Sequence, residues 1–207
     1  MIPDWVRWAH EIQATAQTGL TFAGSHYDRD RYTALQQLAA RILASRSGRA
    51  EADVEQLLAA EWGYATPKCG VRGAAFRDGK LLMVREIADS HRWTMPGGWC
   101  DVGLTPAQNV VKEIREETGF IVTPRKLVAV TDQTINLPAP APFHAYVHFF
   151  LCDIVGGAAT PSSETSEVGF FAEDALPDDL AANRVSRAQI LRMFAHQRDS
   201  GLPTEFE

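Results

Sequence analysis

The chain is 207 residues long, 45% hydrophobic, 9% aromatic and 22% charged, a mix that fits a globular protein and excludes long-range disorder. A formal net charge of −6 gives no electrostatic reason to bind a nucleic-acid backbone. No apolar run approaches the roughly 20 residues of a bilayer span, and Asp4, Arg7 and Glu11 stand where a signal peptide keeps an apolar stretch. A cytoplasmic chain that engages neither nucleic acid nor membrane is expected.

The first 64 residues read as a small helical domain, and 65–207 as a second domain. Asp4 is a plausible N-cap for a helix in which Trp5, Trp8, Ala9, Ile12 and Ala16 recur at helical spacing. Gly19 and Gly24 punctuate. Asp28 or Asp30 can cap a second helix with Leu35, Leu38 and Ile42 on one face, broken at 45–49. A third, over 51–61, groups Val54, Leu57 and Leu58. Three short amphipathic helices make a small core to stand alone. They are expected to pack on the rest of the chain or on a second copy of it.

From Pro67 the pattern changes. Strand-like runs over 69–76 and 81–85 are joined by Asp78-Gly79, a strong hairpin signal. Pro96-Gly97-Gly98 leads to Thr105-Pro106, which suit an N-cap and first helical turn, and Gly119 ends that helix after Thr118. Strands follow over 121–131, 144–154 and 167–171, with a Pro-rich loop over 137–142, and a helix over 185–197 closes the pattern. Mixed strands with a few helices on their faces point to an α/β or α+β domain. The cysteines, Cys69, Cys100 and Cys152, form no CxxC, so free thiols are expected rather than a disulfide scaffold or zinc site. His144 and His148 fall in a strand, not in a zinc-binding helix.

The helix that starts near Thr105 carries Glu113, Glu116 and Glu117, whose spacings of three and four share one face, while Ala107, Val111 and Ile114 face the other way. Like charges so close destabilise one another unless a cation sits among them. Magnesium or manganese, which take oxygen ligands, would supply it. A solvated acidic face neutralised by Lys112 and Arg115 is the alternative. The glycines before the helix favour the metal, because such a loop–helix unit can hold an ion against a diphosphate.

The stretch GWCDVGLTPAQNVVKEIREETGF, residues 98–120, resembles the Nudix box, G-x5-E-x7-R-E-U-x-E-E-x-G-U, with U a bulky apolar residue. Gly98, Glu113, Ile114, Glu116, Glu117, Gly119 and Phe120 match in register. Two positions depart: Leu104 replaces a glutamate and Lys112 an arginine, a pair that in the family braces the loop against the helix. Lys112 keeps the charge without the planar fork, and Leu104 cannot accept a hydrogen bond, which reads as a changed brace. The N-terminal stretch and the segments VRGAAFRDGKLLMVRE, WTMPGGWCDVG, ETSEVGFF and LPTEFE look like a bacterial Nudix group with a helical extension.

That resemblance implies an α/β/α sandwich of mixed sheet with flanking helices, behind an all-helical N-terminal domain. It also implies hydrolysis of a nucleoside diphosphate linked to X, of the ADP-ribose or CDP-choline type, with Mg2+ or Mn2+ as cofactor. Glu113, Glu117 and the carbonyl of Gly97 would hold one metal and Glu116 would share others. Glu164 and Glu167 are candidates for the general base, or else polar residues of a loop. Arg72 and Arg85 are equally phosphate or ribose contacts and ordinary ion-paired arginines; Trp99 could stack on a base, and Trp93 is assigned to the core. The resemblance favours a homodimer through the N-terminal helices. The competing readings are a nucleoside triphosphate pyrophosphatase and a ligand-binding module that has lost catalysis.

Overall fold

The computed structural model describes residues 3–133 and 143–207, the side chain of Arg46 excepted. It divides into two compact units, Met1–Lys68 with Ala139–His144, and Cys69–Pro138 with Ala145–Glu207. The Pro-rich loop expected over 137–142 lies outside the described residues.

The first unit holds α1 (Asp4–Phe22), α2 (His26–Ser47) and α3 (Glu51–Ala59). Pro3, not Asp4, is the N-cap of α1, and Asp4 sits in the first turn paired with Arg7 at 3.0 Å. Ser25 rather than Asp28 caps α2, its hydroxyl accepting from the Asp28 amide at 3.1 Å. The core mixes alanines with larger aliphatics: Ala9, Ala39, Ala40, Leu43, Val54 and Leu58 are buried together. Trp8 and Leu38, expected on the buried stripes, are exposed, and Phe22, Trp62 and Tyr64 are exposed as well. Gly19 does not punctuate. It lies within α1, where a Cβ would come within 2.4 Å of the Tyr32 ring, so its bare Cα lets the two helices approach.

The second unit is a mixed sheet of β1 (Lys68–Arg77), β2 (Lys80–Glu86), β3 (Arg92–Thr94), β4 (Phe120–Asp132), β5 (Ala145–Gly157), β6 (Thr165–Phe171) and β7 (Glu205–Phe206). The order is β3-β2-β1-β5-β4-β7, with β6 also paired to β2, and β7 runs parallel to β4. The hairpin closes at Arg77 and Lys80, with Asp78 and Gly79 both at positive φ, as its two-residue turn requires. Side chains alternate across the sheet. Leu81, Met83, Phe149 and Leu151 enter a core with Ile190, Met193 and Phe194 of α5 (Arg187–Arg198). Leu82, Phe150 and Cys152 face the other way, onto Val110 and Ile114 of α4 (Pro106–Thr118). One helix on each face of a mixed sheet makes this unit an α/β/α sandwich.

Candidate active site

The segment after β3 turns back along β1. The Gly73 amide donates to the Pro96 carbonyl, Val71 to Gly98 and Cys100 to Cys69, each at 2.9 Å, and Gly70 pairs with Trp99. Gly97 sits at φ 140°, and a Cβ there would lie 2.1 Å from the Val71 carbonyl oxygen. Any other residue would push this loop off β1.

The helix beside it begins as its sequence dictates. The Thr105 hydroxyl accepts from the Gln108 amide at 3.2 Å and Gln108 Oε1 accepts from the Thr105 amide at 2.9 Å, a capping box ahead of Pro106. Gly119 ends the helix in the left-handed conformation. On the inner face Val110 and Ile114 are buried, with Ala107 and Val111 packed less deeply.

Asn109 is fully buried and joins helix to loop. Its Oδ1 accepts from the Asp101 amide at 2.9 Å, and its Nδ2 donates to the carbonyls of Leu104 at 3.3 Å and Thr105 at 3.1 Å. A short polar residue in a Val-rich helical stretch is disfavoured by propensity, and that was the signal available for a residue the sequence reading did not single out. Asp101 was missed as well. Its carboxylate pairs with Lys112 at 3.2 Å. Leu104 leaves its side chain partly exposed and takes part through its backbone. The brace is therefore rebuilt from Asn109, Asp101 and Lys112.

Lys112 also lies 2.9 Å from Glu116 and 3.4 Å from Glu113. The hydrogen bond to Glu116, then that to Asp101, raises its ammonium pKa above the ordinary lysine value. Of the three glutamates, Glu116 is exposed, Glu113 partly buried and Glu117 buried. Burial pushes the Glu113 carboxyl up, against the pull of Lys112. Glu117 Oε2 accepts from the Gly97 amide at 2.9 Å, yet burial lifts its pKa to about 8, opposed by Arg72 and by that hydrogen bond. A carboxyl so placed gains from any added positive charge. Among the described residues, no three acidic, histidine or cysteine side chains stand gathered tightly enough to hold a metal ion as they are. The oxygen donors suit a hard cation in type, and Lys112 already places one positive charge among them.

Arg72 is only 6% exposed. Its Nη1 donates to the carbonyls of Met95 at 3.1 Å and of Gly97, and burial lowers its pKa to about 10. It thus faces the loop backbone rather than open solvent. Glu86, also buried, pairs with Arg184 at 3.3 Å, and the charges of both are felt at Arg72. Arg85 is committed elsewhere: it donates to Asp179 at 3.0 Å, lies 3.5 Å from Glu167 and covers the ring of the buried Trp93 at 5.2 Å. Glu167 is therefore paired, whereas Glu164, exposed at the start of β6, is held through its backbone by Ile87 and Ser162. The charge of Glu164 is felt at Glu113. Thr165 ties β6 to α4, its hydroxyl donating to the Glu117 carbonyl at 2.7 Å. Trp99 is 53% exposed beside the loop.

A glycine-bearing loop seated on a mixed sheet and a glutamate-rich helix capped at both ends define a pyrophosphohydrolase of the Nudix class. The chain belongs to the Nudix family: residues 68–194 match the NUDIX domain, and residues 3–58 match a UDP-X-like N-terminal oligomerisation domain. It is 40% identical over 203 residues to the Bacillus subtilis (strain 168) protein YjhB, which carries the provisional name ADP-ribose pyrophosphatase; the match covers 98% of this chain and 97% of that one. Its structure resembles that of a UDP-X diphosphatase, with TM-score 0.62, 31% identity and coverage of 99% and 98% of the two chains. An ADP-ribose pyrophosphatase from Streptococcus suis 89-1591 gives TM-score 0.62 and 37% identity over 69% of this chain and 100% of its own.

Proposed function

We propose that this enzyme hydrolyses the pyrophosphate of a nucleoside diphosphate linked to X, releasing a nucleoside monophosphate and X-phosphate, with Mg2+ or Mn2+ as cofactor. The observation that carries this reading is the grouping of Glu113, Glu116 and Glu117 beside the Gly97 loop, with the Lys112 ammonium already drawn to two of them. Glu113, Glu117 and Glu116 would hold the ion, together with the Gly97 carbonyl, which keeps a second lone pair beyond the one Arg72 uses. Bound there, a divalent ion supplies Lewis-acid chemistry to the pyrophosphate oxygens.

The chain's own groups do the rest. Arg72 fixes the Gly97 carbonyl from below. Glu164, exposed and felt at Glu113, takes a proton from the attacking water. Glu167, neutralised by Arg85, is the lesser candidate. Trp99 offers an exposed ring face to the nucleobase. ADP-ribose leads as substrate because the Bacillus and Streptococcus relatives carry that name. A UDP-linked compound comes second through the diphosphatase neighbour, and CDP-choline rests on the sequence resemblance alone.

A panel of ADP-ribose, UDP-sugars, CDP-choline and nucleoside triphosphates, with Mg2+, Mn2+ or chelator and products separated by chromatography, tests the reading. AMP and ribose 5-phosphate from ADP-ribose, lost with chelator, are expected. Turnover of triphosphates alone, or binding without turnover, would overturn it.

The exposed Trp8, Phe22, Trp62 and Tyr64 and the match to an oligomerisation domain support a homodimer formed through the helical unit. Sedimentation velocity across a concentration series should show a dimer; only monomer at micromolar protein would sink this assignment.

A further inference from the structure

Gly70 and Trp99 face each other across an antiparallel bridge, and the Cys100 amide donates to the Cys69 carbonyl at 2.9 Å. Carried one step further, that register sets Cys69 opposite Cys100, and the charge of Cys69 is felt at Cys100. Residues opposed in an antiparallel pair have Cα atoms about 4.5–5.5 Å apart, within the roughly 4.4–6.8 Å that a disulfide spans. Both thiols are free; Cys69 is exposed and Cys100 partly so. Cys152 is the contrast: it is buried, and burial pushes its thiol up to about 12.

We propose that Cys69 and Cys100 form a reversible dithiol–disulfide site whose closure shifts the loop carrying the candidate metal centre. With glutathione disulfide as oxidant, the Cys69 sulfur attacks one sulfur of the oxidant and releases one glutathione. The Cys100 sulfur then displaces the second glutathione from Cys69, and the S–S bond forms. Two electrons pass from the pair to the oxidant, and the two cysteine protons leave with the two glutathione thiols. Opposed Cβ atoms in a sheet stand about 4.5–5.5 Å apart, wider than the roughly 3.5–4.5 Å of a relaxed bridge. Closure therefore draws the strands together, and a bond strained in this way is readily reduced again. Cys100 cannot move alone. Asp101, the next residue, gives its amide to Asn109 and its carboxylate to Lys112, so the displacement reaches the glutamates.

The test is intact mass and peptide mapping after incubation with glutathione disulfide. The wild type should lose two hydrogens and yield a single link between residues 69 and 100, reversed by dithiothreitol, with Cys152 unmodified. Cys100→Ser should instead retain glutathione on Cys69. Amide hydrogen exchange over residues 97–104 should differ between the oxidised and reduced wild type, and oxidised Cys69→Ser should match the reduced protein. Hydrolysis should fall on oxidation by about tenfold or more, the scale of a loop misplaced by a fraction of an ångström. A lasting glutathione adduct on wild-type Cys69, or two unreacted thiols, would overturn the site. A disulfide that leaves the exchange of the loop unchanged would overturn its coupling to the centre. The mass and exchange readouts stand whether or not the substrate assignment holds.

Discussion

In the first turns of α4, Thr105, Gln108 and Asn109 hold the loop through neutral hydrogen bonds. From Lys112 onward the side chains are ionisable: Lys112 pairs with Asp101, Glu113 and Glu116, and the Glu117 carboxyl accepts from the Gly97 amide. The two halves of one helix thus divide the labour. The neutral half fixes position through bonds that carry no net charge. The charged half is unfavourable by itself, with Glu113 and Glu117 pushed toward the protonated state by burial.

Glu116→Gln and Glu117→Gln should have the largest effect, because they act on the charged half directly. Either should cost about 10² to 10⁴-fold in turnover, the range for removing a group that acts in the transition state, while circular dichroism stays native. Near-wild-type rates from both would break the division drawn here.

The pH dependence of stability sharpens it further. Glu117 has a folded pKa of about 8, above its unfolded value near 4.3. Between those values the folded state binds the extra proton, so metal-free protein should lose stability as pH rises from about 4.5 through 8, by roughly 5 kcal/mol at most. Urea denaturation in chelator should show that slope, and Glu117→Gln should flatten it. Mn2+ should restore stability at pH 8 by binding the native state.

On the neutral half, Asn109→Ala should destabilise by about 2 kcal/mol, because it strips this partner from the Asp101 amide and the Leu104 carbonyl, while the Thr105 carbonyl keeps the Asn109 backbone amide. Asn109→Asp keeps an acceptor for the Asp101 amide but loses the donor to Leu104 and Thr105, and should fail to rescue. The smallest effect belongs to Lys112→Met. Its ion pairs are partly exposed, so stability should change by less than about 1 kcal/mol, yet Mn2+ should bind more tightly once the competing ammonium is gone. Isothermal titration checks the sign.

Much of this was legible in the sequence, where local chemistry and tertiary structure agree. The Asp78-Gly79 hairpin and the helix from Thr105 to Gly119 stand where their turn and cap residues put them. The register of Glu113, Glu116 and Glu117 on that helix could be read for the same reason. The helical unit was harder to read. Half of its buried core cluster is alanine, and of the two tryptophans on the expected stripe Trp5 packs against the core while Trp8 is exposed. β3 and β7 are too short to carry a periodic signal. Arg72 could not be placed because its partners are backbone carbonyls more than 20 residues away, and no spacing rule reports those. Asn109 stands inside the Nudix-box segment, at a position that pattern leaves unspecified.

The amide of Asn109 has a consequence for the conditions in which the enzyme can work. An ion pair across loop and helix would weaken as salt screens it and would vanish when its carboxylate takes up a proton. A carboxamide has no charge to screen and no proton to gain in the physiological range. The share of the loop's seat that Asn109 supplies should therefore survive concentrated electrolyte and mild acid, whereas the Lys112–Asp101 ion pair beside it should weaken in both.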